Sequence, residues 1–152
     1  MKSYTIILIV LLSAIFPVSA KDIEVEPRTG VSTSPYGDWG FNLGGMASFG
    51  INSLFYIQSG FLLNTVKPKV NSNFMEVDVP VYASFRIPVK KVKIQLNAGP
   101  YVKFNNYMDI GVSAEGGVEY KKIYMNLSYF QNCTQQSEIL FNFSIGYKFK
   151  LK

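Results

Sequence analysis

Acidic side chains are the residues best able to do chemistry in this sequence. The chain contains no histidine, which removes the usual general base of serine and cysteine hydrolases and the commonest transition-metal ligand. Two carboxylates placed side by side could still transfer protons. The charged residues that share one face of the strands predicted below are Glu76, Asp78, Arg86, Lys93, Lys103, Asp109, Glu115, Glu119 and Lys148.

A structural role for this charged set competes with the catalytic one. Burying a charge without a partner is costly, and because the set contains both signs, its members are expected to pair inside a narrow protein. The glycine pairs Gly44-Gly45 and Gly116-Gly117 fall within strands rather than in a phosphate-binding loop. We therefore predict a structural network of ion pairs and hydrogen bonds, with no catalytic residue, no cofactor and no metal site.

Beta strands must position these residues. In Ile110-Gly111-Val112-Ser113, for example, apolar residues alternate with small or polar ones, which places the two sets on opposite faces of a strand. The alternation recurs in seven segments, residues 39–49, 54–65, 75–87, 92–103, 108–120, 123–130 and 139–151. A weaker eighth strand is predicted from Lys21 to about Gly30, and composition predicts a loop over residues 30–38. Pro80 predicts a bulge or a local break in its strand.

The connections between these strands alternate in length. Tight turns are predicted at residues 50–53, 88–91 and 121–122, and mostly longer loops at residues 30–38, 67–73, 104–107 and 131–137. Bacterial membrane barrels place short turns on the periplasmic side and longer loops outside. This order requires the eighth strand and puts both chain ends on the periplasmic side. The sequence therefore predicts an all-β fold, an eight-stranded antiparallel up-and-down transmembrane β-barrel.

The composition of the two faces predicts which one contacts lipid. Charged residues make up 16% of the chain, against about 25% in typical soluble domains. The apolar face is bulky and continuous, whereas the polar face carries mainly Gly, Ser and Asn, which suit a narrow interior. We expect Phe141, Phe143 and Ile145 to face lipid and Asn142 and Ser144 to face the interior. The alternative is a secreted, soluble, lipocalin-like barrel that binds a small apolar ligand, in which these assignments are exchanged.

Aromatic residues near the predicted strand ends form a second candidate set. Membrane barrels carry aromatic girdles at the level of the lipid headgroups. The predicted girdle residues are Tyr101, Phe104, Tyr107, Tyr120, Tyr129, Phe130, Tyr147 and Phe149.

The N-terminal segment is predicted to be an export signal. Lys2 is followed by an apolar run over residues 6–12, and Ala20 ends a small-residue stretch suited to cleavage. Residues 1–20 are then removed, and residues 21–152 form one barrel domain. The lysines are spread over turns and strand ends, which favours contact with lipid headgroups over nucleic-acid binding.

Four short motifs resemble those of the small outer-membrane β-barrel proteins common in Bacteroidetes, often grouped as PorT-like proteins. The motifs are Met75-Glu76-Val77-Asp78-Val79-Pro80-Val81, Leu96-Asn97-Ala98-Gly99-Pro100-Tyr101, Gly116-Gly117-Val118-Glu119-Tyr120 and Phe143-Ser144-Ile145-Gly146-Tyr147-Lys148-Phe149. The resemblance covers residues 41–151 and implies the barrel fold and the outer membrane. The resulting hypothesis is a non-catalytic barrel with a structural, assembly or surface-interaction role. Its expected partners are outer-membrane lipid, the barrel-insertion machinery during assembly and an unidentified protein at the loops.

Overall fold

The computed structural model describes residues 22–35, 39–65, 76–104, 108–133 and 139–151. The predicted signal segment and the girdle residue Tyr107 lie outside the described residues. The strands are β1 (Ile23–Thr33), β2 (Trp39–Gly50), β3 (Phe55–Asn64), β4 (Glu76–Val89), β5 (Val92–Phe104), β6 (Met108–Tyr120), β7 (Ile123–Asn132), β8 (Ile139–Tyr147) and β9 (Phe149–Lys150). The described part of the chain contains no helix that is long and apolar enough to cross a membrane.

The sheet closes on itself. Each strand from β1 to β7 pairs antiparallel with the next, and β1 also pairs with β8. The short strand β9 continues β8 in the same register along β1, so the two form one strand that is interrupted at Lys148. The backbone N–H of Leu151 then donates to the carbonyl of Ile23 at 2.8 Å, beside the start of β1. The predicted eight-stranded barrel is therefore confirmed, and closure leaves no sheet edge unpaired in hydrocarbon.

The first strand is longer than its composition predicts. Residues 30–33 were expected to be loop, yet they belong to β1 and pair with both β2 and β8. Small polar residues usually mark a loop, but they also suit the interior of a narrow barrel. Gly30 is required by close approach, since a Cβ at this position would lie 1.9 Å from the carbonyl oxygen of Phe143.

Four other strands also extend beyond the alternation that predicted them, and the first of these, β2, continues by one residue to Gly50. Strand β4 continues to Val89, so the turn consists of Lys90-Lys91 alone, and β5 and β7 continue to Phe104 and Asn132. Strand β6 has the predicted bounds, and the turn after it is the predicted Lys121-Lys122. Ladder pairing with a neighbour decides where each of these strands ends, and the alternation within one strand carries no information about that neighbour.

Pro80 causes a local break without a bulge. The pairs Ser59 with Val81 and Leu62 with Asp78 keep one register on either side of the break, so no residue is inserted. Proline has no N–H to donate to the ladder. Its carbonyl instead accepts a hydrogen bond from the Ser59 hydroxyl at 3.0 Å.

The two faces of the barrel have the predicted orientation. Phe141, Phe143 and Ile145 are exposed on the outer wall, whereas Asn142 and Ser144 are buried inside. Phe41 and Leu127, on two other strands, are likewise exposed, at 72% and 57%. The exchange of faces that the lipocalin-like alternative requires is therefore not observed.

Candidate functional site

A chain of buried ion pairs crosses the middle of the barrel interior, which we call the lumen. Arg28 on β1 contacts Glu26 at 2.7 Å and Glu115 on β6 at 2.7 Å. Glu115 also accepts hydrogen bonds from three further side chains, those of Asn97, Tyr124 and Ser128. A carboxylate has about four lone-pair sites, so those of Glu115 are all used. Its role in this geometry is to hold β1, β5, β6 and β7 together.

We call the end of the barrel with the two-residue turns periplasmic and the opposite end extracellular, following the predicted orientation. The periplasmic part of the lumen contains two further cation clusters. Lys148 donates to Glu119 at 2.8 Å and to Gln95 at 2.6 Å, and its Nζ lies 4.4 Å from the ring centroid of Tyr124. Arg86 pairs with Glu24 and lies 3.7 Å from the ring centroid of Tyr56. Each buried cation therefore has both a hydrogen-bonding partner and an aromatic face, which offset the cost of removing it from water.

The extracellular part of the lumen relies on different contacts. Lys103 pairs with Glu76 at 3.0 Å, and Asp78 accepts a hydrogen bond from the amide of Asn64. Amide and hydroxyl groups continue this network through hydrogen bonds among Ser32, Asn42, Asn64 and Ser144. A buried apolar cluster lies below Lys103 on β5 and below Asn64 on β3, and it consists of Leu62, Tyr101, Phe130 and Leu140.

Most of the charged residues singled out in the sequence lie together in the lumen. Those buried there are Glu76, Asp78, Arg86, Lys103, Glu115, Glu119 and Lys148. Asp109 is half-buried at the extracellular end, opposite Lys103 in the β5–β6 register. Lys93 has the inward parity but is exposed, because it lies two residues beyond the turn at the periplasmic end.

Strand β1 supplies charged residues that the sequence analysis missed. Glu24, Glu26 and Arg28 share one parity, and Val25, Pro27 and Thr29 share the other. That alternation was the available signal, but the segment was treated only as a weak strand. The Arg28–Glu115 contact joins residues 87 positions apart, and nothing in the local pattern of β1 indicates it.

Two of the predicted girdle residues lie inside the barrel. Tyr101 and Phe130 are buried and pack edge to face, with ring centroids 5.1 Å apart at an interplanar angle of 86°. Their parity matches that of the lumen residues, and because β5 and β7 extend beyond them, they do not mark strand ends. The remaining described members, Phe104, Tyr120, Tyr129, Tyr147 and Phe149, have the outward parity.

The outward aromatics gather near the two ends of the barrel. Tyr147 and Phe149 lie at the periplasmic end with ring centroids 4.7 Å apart. Tyr129 and Phe141 lie towards the extracellular end with ring centroids 5.4 Å apart. Aromatic rings at these two levels, one tyrosine and one phenylalanine at each, match the two headgroup regions of a bilayer.

No protein-family model and no curated protein matches the sequence. Solved membrane barrels do match the structure. Neisserial surface protein A (NspA) superposes with a TM-score of 0.62 at 15% identity, over 84% of this chain and 94% of that one. The N-terminal β-barrel domain of Pseudomonas aeruginosa OprF gives a TM-score of 0.58 at 10% identity, over 84% and 97%. A de novo designed transmembrane β-barrel gives 0.52 at 15%, over 90% and 100%.

At such low identities these likenesses concern the fold. The designed barrel has the same architecture, so this fold by itself carries no particular activity. The closed sheet, the apolar outer wall and the polar lumen agree with the matched structures. The chain has the eight-stranded antiparallel fold of these outer-membrane β-barrels.

Proposed function

We propose that this barrel is non-catalytic and serves as a rigid membrane scaffold with a structural, assembly or surface-interaction role. The observation that carries the proposal is the environment of Glu115, whose acceptor sites are all used by strand-linking contacts. The other buried carboxylates that the structure describes also contact donors. A carboxylate committed as fully as that of Glu115 stabilises a barrel but is poorly placed to accept a substrate proton. Glu26 pairs with Arg28, and one oxygen of Asp78 has no hydrogen-bond partner among the described residues.

The filled lumen also argues against a diffusion pore. Barrels of eight strands have interiors just wide enough for side chains, and Tyr82, Tyr101, Tyr124 and Phe130 occupy this one as fully buried residues. Interactions with other molecules are then left to the outer wall and the connections at the barrel ends. The connection between β3 and β4 is the longest by the strand bounds, and we assign partner contact to the extracellular connections.

Expression in a diderm bacterium tests the membrane part of this proposal. The protein should sediment with the outer membrane and migrate faster on gels before boiling than after it. Reconstituted in planar bilayers, it should show no steady single-channel conductance. A soluble periplasmic protein would contradict the scaffold proposal, and a persistent porin-sized conductance would contradict the filled lumen.

We also propose that residues 1–20 are a cleaved export signal. Lys2, the apolar run over residues 6–12 and Ala20 support this proposal. Edman sequencing of the membrane-inserted protein should begin at Lys21. A sequence beginning at Met1 would show that the segment is retained.

Membership of the PorT-like group of Bacteroidetes is a further part of the proposal. Two of the resembling motifs meet in the barrel, because Pro80 of β4 is opposite Tyr101 of β5, next to Gly99-Pro100. The motif pair therefore coincides with one interrupted stretch of the sheet, because Pro80 lies at the break in the β3–β4 ladder and Gly99-Pro100 faces the adjoining gap in the β4–β5 ladder. A sequence profile built from that group should align both prolines with this break, and an alignment that separates them would argue against membership.

A further inference from the structure

Lysines that are spread along the sequence are brought together at one end of the barrel. The turns Lys90-Lys91 and Lys121-Lys122 both lie at the periplasmic end, and all four residues are exposed. Lys150 lies at the same end but already pairs with Asp22 at 3.0 Å. The four turn lysines therefore form two basic turns on neighbouring hairpins, since Val92 after the first turn pairs with Tyr120 before the second.

The first residue of each turn is a lysine in a backbone conformation that is unfavourable for lysine. Lys90 has a φ of 56° and Lys121 a φ of 58°. This left-handed region favours Gly, Asn or Asp in two-residue hairpin turns and costs other residues energy. The same strained dipeptide occurs twice at one end of the molecule, which points to a use for its charge.

An apolar groove lies on the outer wall beside the Lys121-Lys122 turn. It has a volume of about 340 Å³, and the residues that line it include Pro27, Thr29, Leu43, Ile123, Ile145 and Tyr147. Thr29 pairs with Leu43 on one side and with Ile145 on the other. The small threonine between two larger apolar side chains explains the depression in the wall.

The Lys121-Lys122 turn lies at the periplasmic mouth of this groove. Lys122 directly precedes the lining residue Ile123, and its carbonyl accepts the backbone N–H of Lys148 at 2.8 Å. Lys148 in turn directly follows the lining residue Tyr147. The Nζ of Lys121 lies 5.5 Å from the ring centroid of Tyr120, at the level of the periplasmic aromatics. The basic turn and the apolar groove therefore adjoin each other through the ends of β7 and β8.

We propose that the Lys121-Lys122 turn and the groove beside it bind an anionic phospholipid of the periplasmic leaflet, with its phosphate on Lys121 and Lys122 and one acyl chain in the groove. The apolar lining faces the hydrocarbon of the bilayer, so an acyl chain is the occupant that its surroundings supply. The lysines complement a net negative headgroup better than a zwitterionic one. This inference does not depend on a partner at the extracellular connections.

The second lysine turn provides a matched control. Lys90-Lys91 has the same sequence, the same end of the barrel and nearly the same φ, but it is not part of the groove lining. The variants K121Q/K122Q and K90Q/K91Q therefore remove equal charge from two turns, of which only the first adjoins this groove. A third variant, Thr29→Trp, fills the groove and leaves every lysine in place.

The test is native mass spectrometry of the full barrel in detergent with phosphatidylglycerol and phosphatidylethanolamine of identical acyl chains. The wild type should retain phosphatidylglycerol preferentially. Each lysine near a membrane surface changes affinity for anionic lipid by about fivefold, so K121Q/K122Q should lower this preference by on the order of tenfold or more. K90Q/K91Q should retain most of it, and T29W should weaken the retention of both lipids.

Three results would overturn the proposal. The first is an equal loss of preference in both double-lysine variants, which would indicate general charge attraction without a groove site. The second is unchanged lipid retention in T29W, and the third is no preference in the wild type. Heat-modifiable migration of each variant confirms that it has folded, so a loss of lipid cannot be attributed to unfolding.

Discussion

The inner and outer faces of the same strands are stabilised in different ways. Inward residues make particular contacts, as Glu115 does with Arg28, Asn97, Tyr124 and Ser128. Outward residues such as Phe143 and Leu127 meet lipid tails, for which any apolar side chain of suitable size will serve. Lumen positions should therefore tolerate few substitutions, whereas the outer wall should tolerate many that remain apolar.

Removal of the Glu115 carboxylate should have the largest effect. Glu115→Ala leaves Arg28 buried with one acidic partner fewer, and breaking a buried ion pair costs about 3–5 kcal/mol. The free energy of unfolding, measured by denaturant titration in phospholipid vesicles, should fall by that amount. Glu115→Gln keeps an oxygen acceptor and should be milder; an equal loss in both variants would mean that charge, not hydrogen bonding, dominates at this site.

A charge on the outer wall should have the next largest effect. Phe143 lies in the middle of β8 and is 47% exposed. A lysine at a lipid-facing position near the bilayer midplane costs about 2–4 kcal/mol, so Phe143→Lys should lower the free energy of unfolding by that amount. Phe143→Leu should have little effect in the same vesicle titration. A large loss in the leucine variant would break the comparison, because it would show specific packing on the outer wall.

The same substitution, glycine to alanine, can be made on the inward and on the outward face of β6. A Cβ at Gly111, on the inward face, would lie 2.5 Å from the ring of Tyr101 and 2.3 Å from the carbonyl oxygen of Gln131. Gly111→Ala should therefore destabilise the barrel by about 1–3 kcal/mol. At Gly116, on the outward face, the nearest atom would be a Leu96 methyl carbon at 3.8 Å, so Gly116→Ala should be neutral or slightly stabilising.

The measurement for this pair is the midpoint of heat-induced conversion on gels, run side by side for both variants. Equal shifts of the midpoint would mean that an added methyl group is tolerated equally well inside the barrel and on its outer wall.

The smallest effect is expected at the turns. Lys121→Gly relieves the left-handed conformation and should stabilise the barrel by roughly 0.5–1 kcal/mol, since glycine adopts positive φ at little steric cost. Lys122→Gly, at the neighbouring position for which no positive φ is found, is the control and should not stabilise. Denaturant titration compares the free energies of unfolding of the two variants. If both variants were stabilised, the gain would come from the lost charge and not from the relieved backbone conformation.

The sequence predicts those features of the barrel that are local and periodic. Strand β6 and the Lys121-Lys122 turn follow directly from alternation, and so does the inward position of Glu115. The partner of Glu115 does not follow, because Arg28 reaches it only after β1 has closed the sheet against β8. A contact that depends on closure leaves no trace in the periodicity of either strand.

The errors on the aromatics have a different origin. Tyr101 and Phe130 were assigned to the girdle by their distance from the predicted strand ends, while their parity already placed them inside. The extension of β5 to Phe104 and of β7 to Asn132 removed the reason for that assignment. Lys93 shows the opposite case, in which parity is inward but proximity to a turn leaves the side chain exposed. The position of a side chain in a barrel is therefore predicted only when its parity and its distance from the strand end are considered together.

The hydrogen bond between Leu151 and Ile23 holds the last strand beside the first, so the barrel could be rebuilt with its chain ends at a different connection. Because the last and first strands are already neighbours in the ladder, a short peptide linking residues 151 and 22 would join them without distorting the barrel. New termini could then be opened between β3 and β4, in the longest connection by the strand bounds, because circular permutation usually succeeds in connections between strands. Such a permutant would keep every strand pair while presenting its chain ends on the opposite side of the membrane.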